Sequence, residues 1–370
     1  MSKIWNSFTE NKLFYLCCCV AIFGVFYFQN QHDYFAYVNE WDKIFQGDNP
    51  NNAYGVVFNL LSFPNSLHNK LPKLIFIITY FIAIKKIVQL SGGNKIINRI
   101  LLLNPLFWIF GVVYGSNDIF VSAITLLAII NLNNYKISGF LFSVGANLKY
   151  TPLSILPFLI VKNNKIRNQI VVSFLFFTIL FIGTGFYFWG TELMQGFMFN
   201  INRESSIFSI FRFISGRHQP LGFISIDSLD FLSVYLVVLA WFICFICFIF
   251  FNLDRYLMIL LAYSNLLLFY KSGHHQFYML FFMLTILIFI IHKEKILRNK
   301  ALLSSFIFFW FWIFFFTILY PLTNQYSGAY NIREWIGLPT FIIHLFLTLQ
   351  LILHIIRDSR NTENSFPIIK

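Results

Sequence analysis

Apolar residues recur along the chain in ten segments of about 15 to 22 residues, separated by short polar stretches. A transmembrane helix needs about 20 predominantly apolar residues to cross a bilayer. We therefore predict an all-α, polytopic membrane protein with about ten spans. The predicted spans are residues 13–28, 72–90, 100–115, 118–133, 169–189, 229–250, 256–270, 276–292, 301–320 and 337–356.

A further segment, residues 137–161, carries Lys149 near its middle and Pro152 just after it. Because cytoplasmic loops are enriched in lysine and arginine, both ends of this segment are predicted to lie inside. We therefore expect a re-entrant hairpin of two half-helices of about twelve residues each, with its turn at residues 147–150. Broken helices are tolerated at membrane depth only where they are buried in protein or line a wet cavity. The flanking basic residues are Lys136, Lys162, Lys165 and Arg167.

Composition supports the same class, because 58% of the residues are hydrophobic and only 11% are charged. We predict one integral-membrane domain over residues 1–370, with the N-terminus and the tail at 357–370 in the cytoplasm. In this topology 18 of the 27 basic residues lie inside, but only 5 of the 15 acidic ones do. The net charge of +12 then reports orientation and contact with anionic lipid rather than nucleic-acid binding. We expect a bacterial inner membrane.

The predicted outer loops, residues 29–71 and 190–228, contain the main candidates for chemistry. Asp33 follows the first span within a polar, acidic stretch, and a carboxylate beside a membrane is costly unless it is used. We interpret Asp33 as a catalytic base, with Asp42 as the fallback acid. The alternative for Asp33 is a carboxylate that only stabilises a helix N-terminus.

Further polar groups are predicted on the same outer face. Asp118 is either a second active-site carboxylate, holding sugar hydroxyls or a metal, or a helix cap. Lys149 needs an anionic partner or water at membrane depth and suits a phosphate, although it could instead reach the surface by snorkelling. The long outer loop is predicted to hold a short interfacial helix with Ser205, Phe208 and Arg212 on one face, or simply to dock on the membrane. The other candidate phosphate contacts are Tyr150, Arg212, Lys271, His274 and His275; we do not expect the two histidines to bind a metal.

The order of these motifs resembles the integral-membrane glycosyltransferases of the GT-C type. The similar sequences are bacterial polyprenol-phosphate-mannose-dependent mannosyltransferases and the eukaryotic GPI mannosyltransferase I. The resemblance runs from about Gln29 to Tyr278 and departs from the mannosyltransferase pattern at residues 203–205, where Asn-Gln-Ser is not found. The motifs are the acidic first outer loop, Asn104-Pro105-Leu106, Gly115-Ser116-Asn117-Asp118, Lys149-Tyr150-Thr151-Pro152, residues 202–206 and His275-Gln276-Phe277-Tyr278.

This resemblance implies a GT-C-like bundle that moves a hexose, mannose first of all, from a polyprenyl-phosphate donor to a lipid or glycan acceptor. Asp33 is then the base that activates the acceptor hydroxyl on the non-cytoplasmic face, with inversion at the anomeric carbon. No cofactor is required, and a divalent metal is compatible with the reaction. The partners are the lipid-linked donor, the acceptor and membrane lipids.

Two other classes remain open. A membrane polysaccharide polymerase or ligase of the O-antigen type would use cationic residues of the long outer loop, namely Arg203, Arg212, Arg217 and His218. A transporter would favour inverted repeats and ionisable residues near the bilayer midplane, whereas these residues gather on one predicted face.

The predicted orientation is testable with a reporter enzyme fused after Tyr54. We expect a reporter that works only outside the cytoplasm to be active in this fusion, because the basic residues concentrate in the predicted inner loops. Activity of this fusion in the cytoplasm would contradict the assignment of the whole site to the outer face.

Overall fold

The structure is a computed structural model that describes residues 2–30, 32–50, 54–162, 165–194, 208–215, 226–251, 253–271, 273–324 and 330–363. Helices make up nearly all of this part of the chain. The only strands described are β1 (Val161–Lys162) and β2 (Lys165–Ile166), which form a two-residue antiparallel pair. The predicted all-α class is therefore confirmed.

Seventeen α-helices are described, together with one π-helix and three short 3-10 helices. The π-helix is Phe107–Val113, and the 3-10 helices are Thr151–Ser154, Gly190–Met194 and His275–Phe277. The α-helices are α1 (Ser2–Tyr27), α2 (His32–Phe45), α3 (Val56–Leu60), α4 (Ser62–Leu67), α5 (Leu71–Leu90), α6 (Lys95–Leu102), α7 (Asp118–Ile130), α8 (Tyr135–Leu148), α9 (Leu156–Ile160), α10 (Asn168–Trp189), α11 (Ile210–Ser215), α12 (Ile226–Phe250), α13 (Arg255–Phe269), α14 (Tyr278–Ile291), α15 (Lys293–Arg298), α16 (Lys300–Asn324) and α17 (Tyr330–Glu363).

All ten apolar segments predicted as spans are helical over most of their length. Within the described residues, four helices are both long and apolar enough to cross a membrane: Asn168–Glu192, Phe231–Phe250, Lys300–Pro321 and Ile336–Ser359. The pair Lys95–Leu102 and Phe107–Val113, bent by 46°, makes a fifth if it is one broken span. Others are short: the 13 residues of α7 span only about 20 Å. The chain is thus a membrane protein, and the count of about ten spans stays a prediction.

The chain divides into two compact units. The first contains Met1–Leu153 and Asn168–Asn202, and the second contains Ser154–Arg167 and Arg203–Lys370. The assignment of all 370 residues to one integral-membrane domain stays a prediction.

The first unit has its core around α7, nearly all of whose residues are buried, with α5 and α8 packed on either side. The acidic stretch after the first span was predicted only as an outer loop, but it contains the amphipathic helix α2. Tyr34, Tyr37 and Trp41 lie on one face of α2 and are buried, as the spacing of three and four residues requires. The Trp41 indole N–H donates to the Phe58 carbonyl oxygen at 2.8 Å, which holds α2 against α3.

The predicted break in the segment 137–161 occurs at the expected place. Helix α8 ends at Leu148, and Lys149 has an extended backbone. The second half is not the predicted helix of about twelve residues, because only a 3-10 turn and the five-residue α9 follow. Pro152 and Pro157 explain this, since proline lacks the amide hydrogen and disfavours the helical conformation of the residue before it. The hairpin geometry itself stays a prediction.

The second unit buries polar side chains along its long helices, and three of them on α13 and α17 satisfy one another. The Ser264 hydroxyl lies 3.0 Å from His344 Nε2 and 2.9 Å from Thr348 Oγ1, which joins α13 to α17. The Thr348 hydroxyl donates to the His344 carbonyl oxygen at 2.9 Å. Because lipid offers no hydrogen bonds, such groups must be satisfied within the protein.

Gly115 shapes the turn between the π-helix and α7. Its φ of +67° lies in the left-handed region, which costs other residues about 1–2 kcal/mol. A Cβ atom at this position would also lie 2.7 to 3.0 Å from atoms of Tyr34, a buried residue that cannot easily move. Glycine therefore lets the turn pack directly against α2.

We predict that Gly115→Ala destabilises the protein by about 2–4 kcal/mol, because backbone strain adds to overpacking against the Tyr34 ring. The measurement is unfolding in detergent micelles. The control is Gly183→Ala within α10, where nothing lies within 4 Å of the added methyl group and alanine is the better helix former. Equal stability of the two variants would contradict the proposed role of Gly115.

Candidate active site

Three predicted outer elements of the first unit meet: α2, the turn at residues 115–118 and the break after α8. The Tyr37 hydroxyl donates to Asn117 Oδ1 at 3.3 Å and lies 3.0 Å from the Tyr54 hydroxyl. The Gly55 amide donates to the Leu148 carbonyl oxygen at 3.4 Å. The first outer loop therefore contacts both other elements.

Asp118 is the first residue of α7, and its side chain is buried. Its carboxylate accepts a hydrogen bond from the Ser116 hydroxyl at 3.1 Å on Oδ2, while Lys149 Nζ lies 2.6 Å from Oδ1. The carboxylate also lies at the positive end of the helix dipole. The simple capping alternative does not describe this residue, since the N-cap position belongs to Asn117.

Lys149 is buried rather than snorkelling to the surface: its side chain is 9% exposed, and that of Asp118 is 7% exposed. Their ion pair joins the start of α7 to the end of α8 across 31 residues of sequence. In a medium of low polarity each charge alone would be costly, whereas the pair compensates both. The phosphate contacts of Lys149 and of the half-buried Tyr150 beside it stay predictions.

Asp33 lies in the first turn of α2 and is half-buried. Burial raises the pKa of Tyr37, one helical turn further on, and Tyr54 and the carboxylates of Asp33 and Asp118 raise it further. Both candidate carboxylates therefore act on one phenol, which stays protonated at neutral pH. The catalytic role of Asp33 stays a prediction.

Asp42, the fallback acid, is exposed on α2 and has a structural contact. The buried Asn65 side chain donates its Nδ2 hydrogen to Asp42 Oδ1 at 2.7 Å. This bond ties α2 to α4. Asp42 thus holds the helices of the first outer loop together, whatever else it does.

The cationic candidates of the second unit form a separate group. Lys271 and His275 are buried, and His274 is half-buried. His275 Nδ1 lies 3.2 Å from the Thr317 hydroxyl oxygen, whose own hydrogen goes to the Ile313 carbonyl oxygen at 2.7 Å. His275 therefore donates from Nδ1, and in the neutral ring Nε2 carries the lone pair. The phosphate contacts of Lys271, His274 and His275 stay predictions.

The long outer loop is described only in part. Phe208 is buried, with its ring centroid 4.2 Å from that of His275 and 5.5 Å from that of Tyr278, so it does not lie on the exposed face predicted for an interfacial helix, because its ring packs on these two side chains instead. The membrane docking of the loop stays a prediction. Arg212 lies on α11, but its side chain is outside the described part. Arg203, Arg217 and His218 lie outside the described residues.

The sequence analysis missed two lysines at the start of α5. Lys70 Nζ donates to the Phe28 carbonyl oxygen and to Asn30 Oδ1, both at 2.6 Å. Lys73 Nζ donates to the Val113 carbonyl oxygen at 3.0 Å, just before the turn at residues 115–118. The sequence does contain a signal for them, because two lysines three residues apart stand where an apolar segment begins.

Among the described residues, no group of three or more histidine, cysteine, aspartate or glutamate side chains is placed to hold a metal ion. Asp118 instead has Ser116 and Lys149 as its polar neighbours.

Comparison with known protein families identifies what the chain is similar to. The sequence model of glycosyltransferase family 87 matches residues 75–270, which is more than half of the chain. No curated protein and no solved structure matches. The matched region includes the π-helix, the turn at residues 115–118, the ion pair and the break after α8.

We predict that Asp118→Asn destabilises the protein by about 3–5 kcal/mol, because it leaves the Lys149 ammonium buried without its carboxylate. Lys149→Met should have an effect of similar size. The double variant Asp118→Asn/Lys149→Met should lose less unfolding free energy than the two single variants together, since no charge remains unpaired. Unfolding in detergent across this double-mutant cycle measures the coupling, and additive losses would contradict a stabilising pair.

Proposed function

Because the chain belongs to glycosyltransferase family 87, we propose that it transfers a hexose from a polyprenyl-phosphate-linked donor to a lipid or glycan acceptor. Mannose is the first candidate sugar, and the reaction takes place on the non-cytoplasmic face with inversion. The observation that carries this proposal is the buried ion pair of Asp118 and Lys149, next to Asn117, which accepts the hydroxyl of Tyr37 on α2, the helix that also carries Asp33.

In the proposed mechanism, Asp33 is the general base. It takes the proton of the acceptor hydroxyl as the hydroxyl oxygen attacks the anomeric carbon. The bond from the anomeric carbon to the phosphate oxygen breaks on the opposite side, and its electron pair stays on the phosphate. A half-buried carboxylate suits this role because one side remains open to an acceptor.

Asp118 and Lys149 have complementary roles in this mechanism. Asp118 orients the Lys149 ammonium and can accept hydrogen bonds from sugar hydroxyls with its second oxygen. The ammonium faces the negative charge that develops on the departing phosphate, and such preorganised stabilisation is often the largest part of catalysis. Tyr37 stays neutral, because burial raises the pKa of its hydroxyl. The reaction needs no nucleotide and no cofactor.

The proposed setting is a bacterial inner membrane, crossed about ten times with both termini inside. The outer ends of α1, α5 and α7 then present the first outer loop and the turn at residues 115–118 to the lipid-linked donor. The polyprenyl tail remains in the bilayer, so only the phosphate and sugar need to reach the polar groups.

We predict that Asp33→Asn lowers turnover by about 10²–10⁴-fold, the usual contribution of a general base. Folding should change by no more than about 0.5 kcal/mol, because the substitution is isosteric and not in the core. The measurement is consumption of a polyprenyl-phosphate sugar by the purified protein in detergent. The matched control is Asp48→Asn in the exposed turn after α2, which should retain parental turnover.

Two results would contradict parts of the proposal. Parental turnover by Asp33→Asn would leave Asp33 as a helix-end carboxylate and move the base to Asp118 or Asp42. No donor consumption by the parent protein would contradict the donor class and favour a polymerase or ligase, which Arg217→Gln would then inactivate.

A further inference from the structure

Lys70 and Lys73 place two ammonium groups at the N-terminus of α5 inside the first unit. Lys73 is completely buried, and Lys70 is 9% exposed. The two residues are three positions apart, so their side chains leave the helix on the same side. Like charges in this arrangement repel each other, and burial strengthens the repulsion.

Neither ammonium has a negative partner among the described residues. Lys70 contacts a carbonyl and an amide oxygen, and Lys73 contacts one carbonyl oxygen and lies 5.6 Å from the centre of the Tyr34 ring. An ammonium carries three hydrogens, so each lysine keeps hydrogen-bonding capacity. Burying positive charge among neutral groups is costly, which makes this region favourable for an anion.

Lys149 makes a useful comparison because its charge is already compensated. Its ammonium lies 2.6 Å from the Asp118 carboxylate, so part of its charge is compensated before an anion approaches. At Lys70 and Lys73 the anion instead meets two buried amino groups whose partners, among the described residues, are neutral oxygen atoms. The 20-residue helix α5 adds the positive end of its dipole at the same place.

The position of these lysines connects them to the proposed chemistry. Tyr34 follows Asp33, and its hydroxyl accepts a hydrogen bond from the Lys73 amide at 3.1 Å and donates to the Asn69 carbonyl oxygen at 2.7 Å. Lys73 also binds the carbonyl that precedes the turn leading to Asp118. The two lysines are thus tied both to the helix of the proposed base and to the turn beside it.

We propose that Lys70 and Lys73 bind the phosphate group of a membrane lipid, and that this lipid is the polyprenyl phosphate released by the transfer. This inference rests on the proposed function. The donor is a phosphodiester with one negative charge. When the bond to the sugar breaks, the electron pair stays on the phosphate oxygen, the acceptor proton goes to Asp33, and the product phosphate carries two charges. Two ammonium groups match that product better than one.

The competing role for both lysines is structural. Each binds a carbonyl oxygen near the end of a helix, α1 for Lys70 and the π-helix for Lys73, and such caps stabilise helix ends. A capping lysine would alter stability but not the response to phosphate. The experiment therefore measures ligand response as well as stability.

The test compares Lys73→Met and Lys70→Met with the parent protein in detergent. We expect polyprenyl phosphate to raise the melting temperature of the parent, and this rise to be lost in Lys73→Met and reduced in Lys70→Met. The donor KM should increase about ten- to one-hundred-fold in Lys73→Met, as loss of a charged hydrogen bond predicts. If Lys73→Met does not fold, Lys70→Met decides by the same two measurements.

The matched control is Lys85→Met, an exposed lysine at the other end of α5. It removes a lysine from the same helix. Its donor KM, and the increase in its melting temperature on addition of polyprenyl phosphate, should equal those of the parent protein. If Lys73→Met and Lys70→Met keep the parental donor KM and the parental increase in melting temperature, the inference is overturned and the proposed function is left intact. If the parent consumes no donor but polyprenyl phosphate still stabilises it through Lys73, the proposed function fails and the phosphate site stands.

A final comparison identifies the source of the phosphate. Phosphatidylglycerol in the same micelles should not reproduce the stabilisation by polyprenyl phosphate. An equal stabilisation by phosphatidylglycerol, lost in Lys73→Met, would support the phosphate site but overturn its assignment to the reaction product.

Discussion

The buried ion pair between Asp118 and Lys149 organises the first unit. Either charge would be costly if it were buried alone, so the start of α7 and the end of α8 must stay together. This contact fixes the turn at residues 115–118. Asn117 in that turn then receives the Tyr37 hydroxyl, and Gly115 lets Tyr34 pack against the same turn. The amphipathic helix that carries Asp33 is thereby docked next to the pair.

The charges of this unit divide into three kinds with different chemical consequences. Asp118 and Lys149 form a buried ion pair in which each charge partly compensates the other. Asp33 is half-buried, four residues before a phenol that burial keeps protonated, and its partial exposure suits the base of the proposed mechanism. Lys70 and Lys73 are buried and have neutral partners within the part of the chain that the structure describes, so they offer amino groups that an anionic ligand can use.

Much of the helical framework was predictable because it depends on neighbouring residues. The ten apolar segments are helical, and the break falls at Lys149, where a lysine and a following proline interrupt the apolar pattern. The short second half of that segment was not foreseen, although Pro152 and Pro157 explain it. The spacing of Tyr34, Tyr37 and Trp41 also indicates one face of a helix, but the acidic residues around them led to the prediction of a loop.

The sequence by itself determined that the chain is a helical membrane protein, and it identified Asp33, Asp118 and Lys149 as unusual charges for their surroundings. Only the tertiary structure decided which charges meet. The ion pair joins residues 31 positions apart, and Tyr37 and Asn117 are 80 positions apart. Hydrophobic periodicity specifies which face of a helix is buried but not which neighbour buries it. The partners of a buried charge are therefore set by helix packing, as the contrast between Lys149 and Lys73 shows.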